Sequence, residues 1–286
     1  MAAFINPKGR GTVSSPANRF ERLSVEEDDA AWEEIAAVDS DFEKKRPRTE
    51  TFRDDSQSII TSNRSPDIGF EKSLNPYRGC EHGCSYCYAR PYHEYLGFNA
   101  GLDFETKLMV KEAAPELLER EMARRSWKPA VLACSGVTDC YQPVERKLQI
   151  TRKCIEVLRD FRNPVGIITK NALVRRDFDL LAELASYEAS AVMMSITSLD
   201  PELAGILEPR ASRPQARLNA VRDASDAGIP VGISVAPVIP GLNEHEIPAI
   251  LEAAADHGAQ FASFTILRLP HGVKEIFSDW LDRHLP

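Results

Sequence analysis

A series of short apolar runs from residue 71 onward constrains the fold of this chain more than any other feature. The runs are Ala130–Cys134, Val165–Thr169, Ala191–Thr197, Val231–Val235 and Phe261–Leu267. They are almost continuous in apolar residues, whereas a strand with one solvated face alternates apolar and polar residues. The runs therefore predict strands that are buried on both faces.

Amphipathic segments separate these runs and predict helices at about 145–160, 172–186, 214–227 and 244–257. Asp200 followed by Pro201 is typical of a helix N-cap, and Asn243 with Glu246 resembles a capping box. Alternation of strands and helices indicates a parallel α/β sheet. Six such units fit residues 71–270, which is too few for a full eight-fold barrel but is compatible with an open doubly wound sheet or a partial barrel. Both architectures place an active site beyond the carboxyl ends of the strands.

Residues 1–70 differ from the rest of the chain. Apolar residues are sparse there and lack a sustained period, and an acidic run at 26–29 is followed by a basic run at 44–48. Such a segment buries too little surface to offset the entropy of ordering it. We therefore expect a mostly disordered N-terminal extension over 1–70, with a short helix near 30–38, before a barrel domain over 71–286. The basic run is either a phosphate contact or a solvated tail.

Composition narrows the class of protein further. No apolar run reaches 18 residues, so we expect no transmembrane helix, and the first residues do not resemble a secretory signal. These features predict a cytoplasmic, reducing location, where clustered cysteines are metal ligands or reactive thiols rather than disulfides. The net charge of −8 argues against a dedicated nucleic-acid-binding protein, which usually has a basic surface.

Three of the six cysteines, Cys80, Cys84 and Cys87, lie close together in a loop that contains Gly79 and Gly83. Thiolates are soft ligands that suit zinc or iron–sulfur clusters. Both kinds of site usually take four protein ligands, and only three cysteines are present locally. His82 is a candidate fourth ligand, but its position between the cysteines would require an awkward reversal of the backbone. The loop therefore predicts a cluster with one open iron or, as the alternative, a zinc site with three cysteines and a histidine.

This loop, with the aromatic Tyr86 immediately before the third cysteine, resembles the radical S-adenosylmethionine (SAM) superfamily. The stretch 75–111 and the segments 138–143, 168–171, 207–210 and 236–241 are similar to a little-characterised bacterial branch that is related to spore photoproduct lyase, a DNA repair enzyme. The resemblance covers most of residues 60–286. It implies a partial (β/α)6 TIM-like barrel with the cysteine loop after the first strand.

The resemblance also implies a function. The three cysteines would hold a [4Fe–4S] cluster, SAM would bind its open iron, and the reduced cluster would cleave SAM so that a hydrogen atom is abstracted from a substrate. The substrate is unidentified, and an electron donor such as flavodoxin or ferredoxin is implied. One alternative is DNA repair as in spore photoproduct lyase, although the negative charge does not favour a nucleic-acid partner. Another is a non-catalytic module that binds zinc or a redox cluster.

The same resemblance suggests residues that contact SAM. Tyr86 would lie near the adenine, Ser135 or Asp139 would bind the amine, and Lys170 would approach the carboxylate. Ser195 would reach the ribose, and Arg210 would pair with the SAM carboxylate or with Glu208. The alternative for the serines and Asp139 is an ordinary turn after a strand, and for Lys170 it is a surface position.

Three further residues are candidate hydrogen-atom donors. Cys134 and Cys140 are thiols near the end of a predicted strand, and Tyr88 follows the cluster cysteines. The alternative for Cys134 is a core position, and the alternative for Tyr88 is packing beside the cluster. Cys154 fits the apolar face of its helix and is expected in the core, where free cysteine is common.

Overall fold

A computed structural model describes residues 9–20, 48–63 and 69–285 of the chain. Its strands are β1 (Glu50–Arg53), β2 (Ile60–Ser62), β3 (Lys72–Leu74), β4 (Tyr77–Arg78), β5 (Lys107–Val110), β6 (Leu132–Cys134), β7 (Val165–Thr169), β8 (Ser190–Ser195), β9 (Val231–Val238) and β10 (Phe261–Ile266). Its helices are α1 (Leu102–Thr106), α2 (Ala114–Met122), α3 (Glu145–Leu148), α4 (Ile150–Asp160), α5 (Phe178–Ala185), α6 (Pro201–Leu207), α7 (Pro214–Asp226), α8 (Ile247–Asp256) and α9 (Val273–His284). Short 3₁₀ helices lie at Arg90–Leu96, Ala172–Asp177 and Glu244–Glu246.

The main sheet follows the order β10-β9-β8-β7-β6-β3-β2. The strands β3, β6, β7, β8, β9 and β10 are parallel to one another, and β2 at the edge pairs antiparallel with β3. Within this sheet, successive parallel strands of the chain are also neighbours in space. The strand order therefore never reverses, whereas a doubly wound sheet has a switch point at which it does. This order confirms the partial (β/α)6 barrel and excludes the doubly wound alternative.

Residues 48–63, which we expected in a mostly disordered extension, instead contribute two strands. β1 pairs in parallel with β5 in a small sheet of order β1-β5-β4, and β2 pairs with β3 of the barrel. Both strands lie at sheet edges, where polar residues are tolerated, and Ile59 is buried beside them. The strands could not be predicted from the scarcity of apolar residues, because pairing of backbone groups with β5 and β3 orders them. The helix expected near 30–38 and most of the basic run lie outside the described residues.

The core lies between the sheet and its helices. Cys154 and Leu158 of α4 and Leu184 of α5 pack there with Ile167 of β7 and Val192 of β8, and all five are buried. This packing confirms the expected core position of Cys154. β6 and β9 are buried along almost their whole length, whereas alternate residues of β7 and β8 are only partly buried, so burial on both faces is confirmed for β6 and β9.

β10 departs from the expectation of burial on both faces. All six of its residues are exposed, and Phe264 is 68% exposed. The following helix, α9, packs Phe277 and Trp280 against Leu207 and the cysteine loop rather than against β10. The apolar run therefore forms an uncovered edge strand.

Two helix starts were expected from capping residues. Asp200 caps α6 by accepting backbone N–H groups of its first turn, as predicted. Asn243 does not form a capping box with Glu246, because its side chain accepts from Ile239 N (2.6 Å) and donates to Thr197 O (2.7 Å). Asn243 thus joins loops at the carboxyl ends of β8 and β9. No helix in the described part of the chain is long and apolar enough to cross a membrane.

Candidate active site

The cysteine loop runs between β4 and the first 3₁₀ helix, and its path requires glycine at two positions. Gly79 has φ +81° and Gly83 has φ +68°, a region that residues with a Cβ rarely adopt. A Cβ at Gly79 would lie 2.9 Å from Phe104 O, and one at Gly83 would lie 2.8 Å from a Glu105 carboxylate oxygen. The two glycines therefore let the loop pack tightly on its supporting residues.

A cavity of about 250 Å³ opens on the inner side of this loop. Cys80, Cys84 and Cys87 all line it, and its opposite wall comes from the carboxyl ends of β7 to β10. Six further residues selected from the sequence also line it: Tyr86, Tyr88, Ser135, Asp139, Lys170 and Ser195. The structure thus brings the loop and the strand ends together as the barrel predicts.

The three thiols are soft donors that line one cavity. Structural zinc requires four ligands that converge at about 2.0–2.3 Å from one point. Within residues 9–20, 48–63 and 69–285, no three His, Cys, Asp or Glu side chains converge in this way. Three soft donors that line one cavity, with a close-packed glycine loop behind them, fit an iron–sulfur cluster by their chemistry.

His82 is held within the protein rather than offered as a fourth ligand. Its Nδ1 lies 3.3 Å from Asp139 Oδ2, and its Nε2 lies 3.2 Å from Asn171 Nδ2. The Asn171 oxygen accepts from Leu173 N and Ser212 Oγ, so the Asn171 amide group donates to His82. This assigns the His82 proton to Nδ1, and both ring nitrogens are engaged.

Asp139 ties three parts of the site together. Its Oδ1 accepts from Tyr141 N (2.9 Å) and Thr169 Oγ1 (2.7 Å), and its Oδ2 accepts from Lys170 N (2.8 Å) and faces His82. Burial opposes ionisation, but His82 and these hydrogen bonds outweigh it and lower the pKa of Asp139. Asp139 was selected as a SAM-amine ligand, yet all its acceptor positions are used to hold the loop against β7.

Lys170 lies at the carboxyl end of β7 and points into a cluster of oxygen atoms. Its Nζ is 2.7 Å from Ser195 Oγ and 3.0 Å from Ala236 O, and it is 3.0 Å from Glu208 Oε1. It also lies 5.6 Å above the Tyr86 ring. Lys170 is therefore a largely buried cation on the cavity wall, not a surface lysine.

Glu208 is the buried counter-charge for this cation. Burial disfavours its charged form, but Arg217 and then Lys170 outweigh that effect and hold the pKa of Glu208 well below its ordinary value. Glu208 also accepts from Tyr86 Oη and Thr197 Oγ1. Because of this bond the Tyr86 ring stays on the cavity wall, where the resemblance places an adenine contact.

Arg210 does not reach the cavity. Its guanidinium pairs with Glu81 at 2.9 Å and lies 3.3 Å from Thr49 Oγ1. The expected partner Glu208 is bonded instead by Arg217, which is buried on α7. The prediction of an Arg210–Glu208 pair was therefore wrong, because the chain turns after Pro209 and carries Arg210 to the outer side of the loop.

The two serines already have hydrogen-bond partners. Ser135 Oγ donates to Thr138 O and accepts from Cys140 N at 3.1 Å. Ser195 Oγ accepts from Lys170 and lies 3.3 Å from Ala236 O. Both hydroxyls line the cavity while also shaping the loops that form it.

The three candidate hydrogen-atom donors occupy different environments. Cys134 and Cys140 are completely buried in the main core and do not line the cavity. Cys140 Sγ lies 3.6 Å from Cys134 O, and burial raises the pKa of the Cys140 thiol. Tyr88 is 51% exposed at the cavity mouth, and its hydroxyl donates to Gly136 O. For Cys134, this geometry favours a core position over a role as hydrogen-atom donor.

From the sequence, Glu208 is named only as a possible partner of Arg210, and Arg217 is not recognised as part of the site. Glu208 lies in the segment 207–210 that carries the family resemblance, so that segment held a usable signal. Arg217 lies on an amphipathic helix, and nothing in the local pattern distinguishes it from a solvated arginine.

A family comparison agrees with this geometry. Residues 74–254 match the model of the radical SAM superfamily. The matched region includes the cysteine loop and the carboxyl ends of β7, β8 and β9, and it stops before β10. The chain belongs to the radical SAM superfamily.

The chain is also similar to curated proteins. The chain is 37% identical over 221 residues to an uncharacterised protein of Mycobacterium bovis, in a match that covers 77% of this chain and 65% of that protein. It is 29% identical over 178 residues to an uncharacterised protein of Methanocaldococcus jannaschii, in a match that covers 62% of this chain and 64% of that protein. The chain thus spans about two thirds of the length of these curated relatives.

Among solved structures, the fold is similar to that of spore photoproduct lyase. A mutant of that enzyme with bound AdoMet and dinucleoside spore photoproduct aligns with a TM-score of 0.61 at 18% identity, over 82% of this chain and 67% of that chain. A second mutant structure of the lyase gives a TM-score of 0.62 at 17% identity, with the same coverage. At this identity the likeness establishes the fold alone.

Proposed function

We propose that this protein is an enzyme that holds a [4Fe–4S] cluster on Cys80, Cys84 and Cys87 and uses it to cleave SAM. The observation that carries the proposal is that all three thiols line one cavity together with the Lys170 cation. A [4Fe–4S] cluster on these three cysteines would leave one iron open for SAM and, once reduced by the electron donor, would supply the electron that cleaves SAM into methionine and the adenosyl fragment that takes a hydrogen atom from a substrate.

The residues of the chain have separate tasks in this proposal. The Lys170 ammonium offers a positive charge to the SAM carboxylate. Glu208 and Arg217 fix the position of that ammonium, and Tyr86 supplies a ring face for the adenine. Asp139 and His82 hold the loop on the strand ends.

The side chains around the cavity mouth limit which substrates can reach the reacting atoms. Its walls are mostly apolar and include Tyr88, Val137, Ile266 and Leu267. A substrate bound against these walls would cover the exposed Tyr88 and Ile266 side chains and displace water from them. The apolar walls favour a substrate whose reacting part is uncharged.

The reaction also requires a one-electron donor, for which flavodoxin or ferredoxin is the proposed class of partner.

The proposal is tested with full-length protein reconstituted anaerobically with iron and sulfide. We expect about four irons and four sulfides per chain, in line with the proposed cluster, and release of 5′-deoxyadenosine from SAM when dithionite is added. Protein that is fully loaded with iron and sulfide and still releases no 5′-deoxyadenosine would contradict the proposal. One zinc per chain without sulfide would favour the non-catalytic module.

Repair of a DNA lesion is a second candidate, supported by the likeness of the fold to a lyase solved with a dinucleoside spore photoproduct. The net charge of −8 opposes it, since phosphate contacts from Lys and Arg supply most of the affinity for DNA. Binding of the reconstituted protein to ultraviolet-irradiated DNA, measured as salt is raised, separates the candidates. Binding that weakens steeply with salt would favour repair, and no binding at low salt would exclude it.

A further inference from the structure

Arg90 is a completely buried arginine three residues beyond the last cluster cysteine. An arginine stays charged, and a buried charge is tolerated only when it is paired and hydrogen-bonded. Its surroundings therefore have to account for all five of its N–H groups.

The backbone carbonyl of Cys84 is the principal acceptor. Arg90 Nε donates to it at 3.0 Å and Nη2 donates to it at 2.8 Å. The same guanidinium donates from Nη1 to Ala100 O (3.1 Å) and Gly101 O (3.0 Å), and from Nη2 to Glu105 Oε1 (2.6 Å). All five N–H groups are used, and two of them hold the backbone of a proposed cluster ligand.

Glu105 completes the arrangement on the outer side of the loop. It is also completely buried, and its Oε2 accepts from Gly11 N at 3.0 Å. Arg10 Nη1 donates to Glu105 O at 2.8 Å. A Cβ at Gly11 would lie 1.5 Å from Gly83 O, so the N-terminal segment lies directly against the loop between Cys80 and Cys84.

We propose that Arg90, supported by Glu105, is the positioning residue of the cluster site. This inference rests on the proposed function, because the cluster is what the positioned cysteines would hold. By fixing the Cys84 carbonyl from behind, Arg90 keeps the Cys84 thiol directed into the cavity. A lysine cannot replace it, because a single ammonium does not reproduce the planar fork that spans the Cys84 carbonyl and the Glu105 carboxylate.

The test compares reconstituted full-length wild type with Arg90→Lys, Glu105→Gln and the control Arg176→Lys. Arg176 bonds two carboxylates, Glu145 and Asp177, and does not bond the Cys84 carbonyl. The control therefore also loses charge-assisted bonds but leaves the bonds from Arg90 to the Cys84 carbonyl in place. The readouts are iron and sulfide per chain, the rate of iron loss to an excess chelator, and the circular dichroism spectrum as a check of folding.

We expect Arg90→Lys to lose iron at least ten times faster than wild type, Glu105→Gln to lie between them, and Arg176→Lys to match wild type. A folded Arg90→Lys protein that releases iron at the wild-type rate would overturn the inference. So would an equal acceleration in Arg176→Lys, since it would indicate a general loss of stability.

Two further outcomes remain distinguishable. If Arg90→Lys does not fold, Glu105→Gln decides the question, because its side chain keeps the size and shape of the original. If wild type itself binds no iron and sulfide, the proposed function fails and the inference falls with it. A failure confined to the comparison of variants overturns the inference alone.

Discussion

The six cysteines divide into two regions that differ in access rather than in chemistry. Cys80, Cys84 and Cys87 lie on a glycine-containing loop and face the cavity. The other three, Cys134, Cys140 and Cys154, are completely buried among the side chains of the main core. The position of a thiol relative to the cavity, and not the thiol itself, therefore determines whether it can serve as a ligand.

The largest difference is expected when one cysteine of each region is removed. Cys84→Ala should abolish iron and sulfide binding after reconstitution, because the cluster loses one of its three ligands. Cys154→Ala should keep the full complement and lose only about 1 kcal/mol of stability through the small cavity it leaves. Iron, sulfide and urea unfolding measure both effects.

The comparison would fail if Cys154→Ala lost its iron while remaining folded. That result would place the core thiols within the cluster site.

Acid should affect the loop region through His93, which is buried between Phe98 and Phe104. Its ring lies beside the loop, since a Cβ at Gly79 would be 3.1 Å from His93 Cε1. Burial lowers the pKa of His93 to about 4, from an ordinary value of 6.5. The unfolded chain therefore binds a proton at a higher pH than the folded chain, and protonation favours unfolding.

The stabilisation from neutral His93 is complete above pH 6.5 and is lost as the pH falls to 4. The loss amounts to about 3 kcal/mol. His93→Phe keeps a ring between the neighbouring phenylalanines and should remove most of this dependence between pH 6.5 and 4. Urea unfolding of both proteins across that range is the measurement. An equally steep loss of stability in His93→Phe would show that other groups are responsible.

We expect the rates at which the thiols of the two regions react to differ by about ten-fold or more. In folded, metal-free protein, Cys87 should react with iodoacetamide faster than Cys134 or Cys140, because it is only partly buried and lines the cavity. Local opening is needed before the core thiols can react. Peptide mass spectrometry at several times gives the rates, and protein unfolded in urea serves as the control in which all six should react alike.

The smallest effect is expected at the cavity mouth. Tyr88→Phe removes a hydrogen bond from a half-exposed hydroxyl to Gly136 O, which should change stability by less than about 1 kcal/mol. Release of 5′-deoxyadenosine should stay within about two-fold of wild type, since the hydroxyl is bonded to the backbone and not to the thiols. Tyr187→Phe, at another exposed tyrosine, is the matched control. A ten-fold loss only in Tyr88→Phe would give that hydroxyl a direct part in the reaction.

The fold could be predicted from the sequence because local patterns determine most of it. The apolar runs and the alternation of strands with helices follow from spacing along the chain. The exposure of β10 could not be predicted, since a strand at an uncovered edge and a central strand can have the same apolar run. The strands within residues 48–63 were missed because their partners lie in distant parts of the chain.

The candidate site, like the fold, could be predicted from the sequence only in part. The cysteine loop carries its own signal, because its three ligands lie within eight residues. The supporting pairs do not, since Arg210 pairs with Glu81 across the fold and Arg217 replaces Arg210 as the partner of Glu208. Such pairs depend on how the strand ends converge, which the spacing of residues along the chain does not specify.

The uncovered edge of the barrel also affects how the protein behaves in concentrated samples. β10 contains no charged residue and no proline, and such residues normally keep sheet edges from joining. Its outer backbone groups are a template for a strand from another molecule. We expect the 286-residue chain to self-associate increasingly as its concentration rises, so solutions of it for spectroscopy or crystallisation need to be monitored by light scattering.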